Sequence, residues 1–399
     1  MSTSNDRRDR VWFVTGASSG FGRALSEAVL DRGDRLIATA RDPEAIKDLV
    51  ERDPRRVLAL QLDVTDAEAA RVALADAMLH FGRVDVVFNN AGYGHVGAIE
   101  ELGDEELRRQ LDVNLLGVIN VTRAALPHLR RQRCGHLVQM SSLNGVEALP
   151  GAGYYAASKF GVEGFSETLA AEVEHLGIKV TIVEPGPFRT RFLEPGSARW
   201  AKPIPDYAAS VGKSRETLRE MDGRQPGDPA RAARAIIQAV QADAPPLRLV
   251  LGRMALEHVR ARLDARRKEL DAWALLGAAA DFPANGHEEL VLKAYDAFNE
   301  REIEAGVALM DPEVDWPNVP KGGFVHGQDQ VRAHWREQFG QADPRIEVAA
   351  IAQTGEGRVE ASVRQIVRGL DGAELSDDRL LHVFTIANNH IRRMEVKSR

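Results

Sequence analysis

Thr15-Gly16-Ala17-Ser18-Ser19-Gly20-Phe21-Gly22 follows an apolar run at residues 11–15 and opens a helical pattern at 22–32. A glycine-rich turn between a strand and a helix lets the backbone turn tightly and come close to a diphosphate. The helix behind it offers free N–H groups and the positive end of its dipole. Glycines alone indicate only a tight turn. Between a strand and a helix they point to a nucleotide cofactor.

Outward from this turn, apolar strands alternate with helical patterns to about residue 250. Residues 35–39, 57–61, 84–89, 136–141 and 179–184 read as short buried strands, and 67–81 and 105–133 as amphipathic helices. Repeated βα units with near-continuous apolar strands predict a doubly wound parallel sheet covered on both faces, a Rossmann fold. Helices are expected at 231–242 and 254–276. Asp281-Phe282-Pro283-Ala284-Asn285-Gly286 then interrupts the pattern and places a linker at 283–286. Beyond it, helices at 288–300, 302–310 and 328–339 surround a Pro/Gly-rich loop at 311–327. Strands follow at 346–353, 358–367, 379–387 and 390–396. Helices first and strands later predict a smaller α+β domain. The expected organisation is a disordered tail at 1–10, a cofactor-binding domain at 11–282, the linker and a second domain at 287–399.

Composition bounds the function. The chain has 399 residues, 44% hydrophobic and 28% charged, with net charge −7. It carries no cationic excess for nucleic acid or anionic lipid. No run approaches the roughly 18 apolar residues of a membrane span. Residues 1–10 lack the apolar stretch of a signal peptide. Cys134 is the single cysteine, so an internal disulfide and a cysteine zinc site are excluded, and no metal is expected. These features favour the reducing cytoplasm.

Tyr155-Ala156-Ala157-Ser158-Lys159 places a phenol and an ammonium at i and i+4, on one face of a helix. A nearby positive charge favours the phenolate, so Lys159 is expected to lower the Tyr155 pKa and make it a working acid/base. Tyr93, His95, Glu147 and Leu149 follow strands and should line the mouth of the site. The long segment 188–227, with Phe188, Phe192, Trp200, Tyr207 and Met221, reads as its lid. That lining suits a small apolar alcohol or ketone, of retinoid or steroid type.

Residues 10–282 resemble the short-chain dehydrogenase/reductase family. The resemblance rests on the Gly-x-x-x-Gly-x-Gly spacing of Gly16, Gly20 and Gly22, on Asn89-Asn90-Ala91-Gly92, on Tyr155 with Lys159, and on Pro185-Gly186 followed by Thr190. It implies hydride transfer between a nicotinamide cofactor and an alcohol or carbonyl group. Ser18, Ser19 and Phe21 belong to its glycine loop, and Asp63-Val64 matches its adenine-contacting position. Asn90, Ala91, Gly92, Pro185, Gly186 and Thr190 would also face the cofactor, as would Tyr155 and Lys159. Ser142, thirteen residues before Tyr155, would orient the substrate oxygen, with Ser141 as the alternative. Asn114 would help hold a water that relays protons through Lys159.

In that family an NAD-preferring site carries a carboxylate at the position of Ala40. Arg41 follows it here and can pair with a 2′-phosphate, and Ser19 could add a hydroxyl, so NADP(H) is expected over NAD(H). Asp42, followed by Pro43, is expected to cap the next helix instead of reaching the ribose.

Residues 287–399 resemble the NTF2-like superfamily in its SnoaL-like, polyketide-cyclase-like branch, through Ala294–Arg301, Met310–Trp316 and His326-Gly327. That implies a cone-shaped α+β domain around a pocket. Tyr295, Trp316, His326, Trp335 and His382 are its pocket candidates, with Asp315 as the carboxylate. The sequence supports an oxidoreductase that assembles as a homodimer or homotetramer and carries a ligand-binding or dimerisation domain. Two alternatives are a bifunctional enzyme whose tail isomerises, dehydrates or cyclises the substrate, and a non-catalytic NADP(H) sensor or scaffold.

Overall fold

A computed structural model describes residues 9–194, 198–281, 286–319 and 322–398. Most of the expected tail and linker therefore lie outside the described residues. Asp9 and Arg10 are held in place: the Asp9 carbonyl accepts from Arg35, and the Arg10 backbone N–H donates to Asp34 Oδ1. The chain divides into two compact units, Met1–Leu263 and Asp264–Arg399.

The first unit runs β1 (Val11–Thr15), α1 (Gly20–Asp31), β2 (Arg35–Ala40), α2 (Lys47–Arg52), β3 (Val57–Gln61), α3 (Ala67–Phe81), β4 (Val86–Asn89), β5 (Gly94–Val96), α4 (Asp104–Leu111), α5 (Gly117–Gln132), β6 (Gly135–Met140), α6 (Gly153–Val173), β7 (Ile178–Pro185), β8 (Ala198–Trp200), α7 (Lys213–Met221), α8 (Pro229–Gln241), β9 (Arg248–Leu251) and the start of α9 (Arg253–Ala278). Seven strands form one sheet in the order β3-β2-β1-β4-β6-β7-β9. All its neighbouring pairs are parallel. Strand side chains alternate between two cores. Trp12, Val14, Leu36, Ala38, Phe88 and Val138 pack with α1 and α8. Val11, Phe13, Ile37, Val87 and Leu137 pack with α3, α5 and α6. Both faces are covered, which is why the strands read as continuous apolar runs.

Local signals set the boundaries. Asp66 caps α3 by accepting from the N–H groups of Glu68 and Ala69, and Gly82 ends that helix with φ of 73°. The expected single helix at 105–133 is instead α4, a π-helical turn at Asp112–Leu116, and α5. A π turn inserts one extra residue into the hydrogen-bonding ladder, and residue composition does not mark where it falls. The short strands β5, β8 and β9 were not anticipated. β5 and β8 pair with each other and tie the lid segment to the chain after β4.

The second unit contains α10 (His287–Asn299), α11 (Ile303–Ala308), β10 (Met310–Pro317), β11 (Phe324–His326), α12 (Gly327–Gln341), β12 (Ala342–Gly355), β13 (Arg358–Gly369), β14 (Glu374–Ala387) and β15 (His390–Ser398). Its six-stranded sheet has the order β11-β10-β15-β14-β13-β12. The β10–β15 pair is parallel and the other pairs are antiparallel. Tyr295, Trp316, Trp335 and Phe384 lie in the core where the helices cover this sheet. The segment 311–327, expected as a loop, holds β10 and β11. β10 accommodates Pro312 through an irregularity in its pairing with β15 between Met310 and Asp315.

Candidate active site

The glycine turn is built from behind. Thr15 Oγ1 accepts from the N–H groups of Asn90 at 2.9 Å and Ala91 at 3.1 Å. Asn90 Nδ2 donates to the carbonyls of Thr15 at 3.0 Å and Gly16 at 3.2 Å. Asn90 thus braces the turn with its amide. Gly16 has φ of 66° and Gly20 of 57°, conformations that suit glycine. A Cβ on Gly22 would lie 2.2 Å from the Gly16 carbonyl oxygen, so only glycine lets α1 start this close to β1. Ser19 precedes α1 without capping it through its side chain, which leaves N–H groups of the first turn for a diphosphate.

Ser18, Ser19, Gly20, Arg23, Thr190 and Arg191 border a cleft of about 580 Å³ beside this turn. Phe21 packs against Phe188 with ring centroids 5.0 Å apart and the rings tilted by 57°. At the end of β2, Arg41 is exposed and forms no ion pair among the described residues. Asp42 Oδ1 accepts from the Glu44 N–H, capping the short 3₁₀ turn that Pro43 begins. Asp63 Oδ1 is engaged by the N–H and hydroxyl of Thr65. Val64 packs against Gly117, and the Gly186 N–H donates to the Leu251 carbonyl at the end of the sheet. A Cβ on Gly92 would meet Asn114 Oδ1 at 3.1 Å. The positive-φ glycines, the uncapped helix start and the free Arg41 fit a dinucleotide.

Tyr155 and Lys159 lie one turn apart on α6. Lys159 Nζ sits 5.7 Å from the centre of the Tyr155 ring and donates to the Met140 carbonyl at 2.7 Å. Burial pushes Tyr155 up to about 12, and a hydrogen bond from Ser142 works against that rise. Burial pulls Lys159 down to about 8, and the neighbouring Glu163 charge opposes this. In the protein alone burial outweighs the expected lowering of Tyr155, and the group that opposes the rise is Ser142. Ser141 faces Glu163 instead.

Asn114 is fully buried in the π turn. Its Oδ1 accepts from the Tyr93 N–H at 3.0 Å, and its Nδ2 donates to the Tyr93 carbonyl at 2.9 Å and to Ser158 Oγ at 3.2 Å. It thereby links the start of the mouth to the helix that carries Tyr155 and Lys159.

The predicted mouth residues separate into two sets. Phe192 and Tyr93 are at the site: the Phe192 ring lies against Tyr155, and the Tyr93 backbone is held by Asn114. His95 is 2% exposed and hydrogen-bonded to Gln110, so it supports the mouth without lining it. Glu147 pairs with His258 at 2.7 Å. Phe188 packs on Phe21 and Gly227. A lid clamp was missed. Arg215 and Glu101 form a buried ion pair at 2.6 Å, and Glu101 also accepts from the N–H groups of Ala98 and Ile204. In sequence Arg215 is one of several charges on an exposed-looking helix, with nothing to single it out.

The second-domain candidates also divide. Tyr295 Oη and His382 Nδ1 are 3.0 Å apart in the core, beside Phe384, and Trp316 and Trp335 meet edge to face with ring centroids 5.4 Å apart. Burial pushes Tyr295 up and His382 down to about 4. Asp315 and His326 are cross-strand neighbours 2.6 Å apart with Arg393 alongside, but His326 is largely exposed. The six residues therefore do not form one pocket. Among the described residues no cluster could hold a metal ion, and no helix is long and apolar enough to cross a membrane.

A sequence profile of the short chain dehydrogenases matches residues 10–199, and one of SnoaL-like domains matches 291–394. The chain is 39% identical over 273 residues to oxidoreductase BOA17 of Botryotinia fuckeliana, covering 68% of this chain and 99% of that protein. A short-chain dehydrogenase structure from Streptomyces avermitilis superposes with TM-score 0.65 at 44% identity, over 70% of this chain and all of that one. An alcohol dehydrogenase from Thermococcus sibiricus, complexed with 5-hydroxy-NADP, superposes with TM-score 0.51 at 27% identity, over 61% of this chain and 95% of that one.

Proposed function

Because the chain belongs to the short-chain dehydrogenase/reductase family, we propose that it is an NADP(H)-dependent oxidoreductase interconverting an apolar alcohol and its ketone or aldehyde, with Tyr155 as general acid/base. The observation that carries this reading is the Tyr155–Lys159 pair one turn apart on α6, with Lys159 Nζ 5.7 Å from the centre of the Tyr155 ring. When bound, the nicotinamide coenzyme supplies or accepts the hydride. Ser142 holds the substrate oxygen and stabilises its growing negative charge. Tyr155 gives that oxygen a proton in reduction and takes one in oxidation. Lys159 holds positive charge beside the phenol, and Asn114 fixes the strand start and α6 relative to each other. The glycine turn would hold the diphosphate, with Arg23, paired to Glu27 and Asp48, at the edge of the cleft.

NADP(H) preference is supported by Ala40, by the unpaired Arg41 and by Asp42, whose carboxylate already caps a turn. Phe192 and Tyr93 support an apolar substrate. Residues 283–286 join the two domains, and the tail binds a ligand or assembles copies of the chain in the cytoplasm. The bifunctional alternative loses ground. Burial keeps Tyr295 and His382 uncharged, and the Asp315–His326 pair lies at the surface. The test is a panel of apolar ketones and aldehydes assayed for NADPH consumption. Consumption with at least one supports the reading; none, in either direction, contradicts it.

A further inference from the structure

The first turn of the lid meets the glycine turn. Thr190 Cβ lies 3.6 Å from where a Cβ on Gly20 would stand. Arg191 Nη2 donates to the Ser18 carbonyl at 3.4 Å. Arg191 opens a 3₁₀ turn, Arg191–Leu193, which Thr190 caps by accepting from the Phe192 N–H at 3.3 Å. One short turn therefore carries Arg191 to the start of α1 and Phe192 onto the Tyr155 ring. The cleft of about 580 Å³ is bordered by both this turn and the start of α1.

Three arginines and three carboxylates border that cleft: Arg23, Arg189 and Arg191 with Glu27, Glu194 and Asp222. Arg23 is committed to Glu27 and Asp48. Arg189 donates to the Gln225 carbonyl at 3.3 Å, and Asp222 Oδ1 accepts from the Gln225 amide at 3.4 Å. Arg191 forms no ion pair among the described residues. A single carbonyl engages one of the five N–H donors of its guanidinium. The N-terminal end of a helix presents only about half a positive charge. A diphosphate needs more, and an arginine fork can hold two phosphate oxygens together. Glu194 and Asp222 repel an anion, so the place that favours one is where Arg191 faces the start of α1.

We propose that Arg191 anchors the lid to the coenzyme diphosphate, and that this contact sets Phe192 against the substrate. The inference rests on the coenzyme reading given above. NADPH and NADH share the diphosphate and differ in the 2′-phosphate, so the anchor serves both alike, whereas Arg41 serves NADPH alone.

The test is a fluorescence titration of the full chain with NADPH and with NADH. Arg191 is exposed, and Arg191→Met removes its charge while keeping much of its length. Both affinities should fall by the same factor, roughly tenfold or more, and Arg191→Lys should restore part of the loss. At saturating NADPH the ketone KM of Arg191→Met should rise, by less than the roughly 10- to 100-fold that full removal of the Phe192 ring implies. Unchanged affinities overturn the anchor. A loss confined to NADPH overturns it too, because it puts the guanidinium on the 2′-phosphate. An unchanged ketone KM overturns the link to Phe192. Wild type that binds both coenzymes and turns over no carbonyl compound refutes the oxidoreductase reading and leaves the anchor to be judged by Arg191→Met. Wild type that binds neither refutes both.

Discussion

The Phe192 ring lies 5.6 Å from the Tyr155 ring at an interplanar angle of 57°. Gly94 makes this possible, because a Cβ there would sit 2.7 Å from Phe192 Cζ. A lid aromatic is thus laid across a bare stretch of strand and onto the proposed acid/base. Phe192→Ala removes an apolar contact of about 1.5–3 kcal/mol. Its KM for apolar ketones should rise roughly 10- to 100-fold, with a smaller change in kcat. Steady-state kinetics checks this, and an unchanged KM would remove Phe192 from the substrate site.

Cofactor choice depends on Arg41. A charge-assisted contact to the 2′-phosphate is worth about 1.5–3 kcal/mol. Arg41→Ala should therefore lower kcat/KM with NADPH by roughly 10- to 100-fold and leave NADH nearly untouched. Asp42→Asn keeps the capping oxygen and should leave the preference in place. An unaltered NADPH-to-NADH ratio in Arg41→Ala would show that the guanidinium does not touch the cofactor.

Glu184, buried at the end of β7, has a consequence for stability. Its folded-state value of about 7 lies above that of an unfolded chain. A group raised in this way contributes fully below the unfolded value, and its contribution is lost as pH rises through about 7. Glu184→Gln abolishes that loss. Its melting temperature should exceed wild type by a few degrees at pH 8 and come close to it at pH 4.5. An equal difference at both pH values would contradict a buried, pH-dependent carboxyl.

In the tail domain, Asp315→Asn and His326→Ala should change neither product identity nor NADPH consumption, since His326 is exposed and the half-buried Asp315 is taken up by His326 and Arg393. Tyr295→Phe takes the partner from His382 Nδ1 in the core and should cost about 1–2 kcal/mol of tail stability, read by thermal melting. A new product from either surface variant would restore the bifunctional alternative.

Much of this was legible in the sequence where local chemistry repeats. Helix α3 spans residues 67–81 as its pattern predicts, and the central strands β1, β2, β4 and β6 are almost wholly buried runs. The turn at Gly16, Gly20 and Gly22 has the conformation its glycines imply. The failures share a cause: they depend on contacts far apart in sequence. Pro312 and Gly327 made β10 and β11 look like a loop, because the irregular pairing that accommodates a proline leaves no periodic trace. His95 and Glu147 stand at the right places after strands, but Gln110 and His258 claim them. Nothing in the sequence singles out Arg215, Glu163 or Glu184 as buried charges, because their partners Glu101 and Arg248 lie far away along the chain.

The measurement that bears most directly on the central claim is turnover of Tyr155→Phe with saturating NADPH, beside a fluorescence titration of cofactor binding. The phenyl ring keeps its packing against Phe192 and loses only the hydroxyl that Ser142 engages. The account predicts a fall in kcat of roughly 10²–10⁴-fold with cofactor affinity nearly unchanged. Turnover close to wild type in a folded Tyr155→Phe would contradict it.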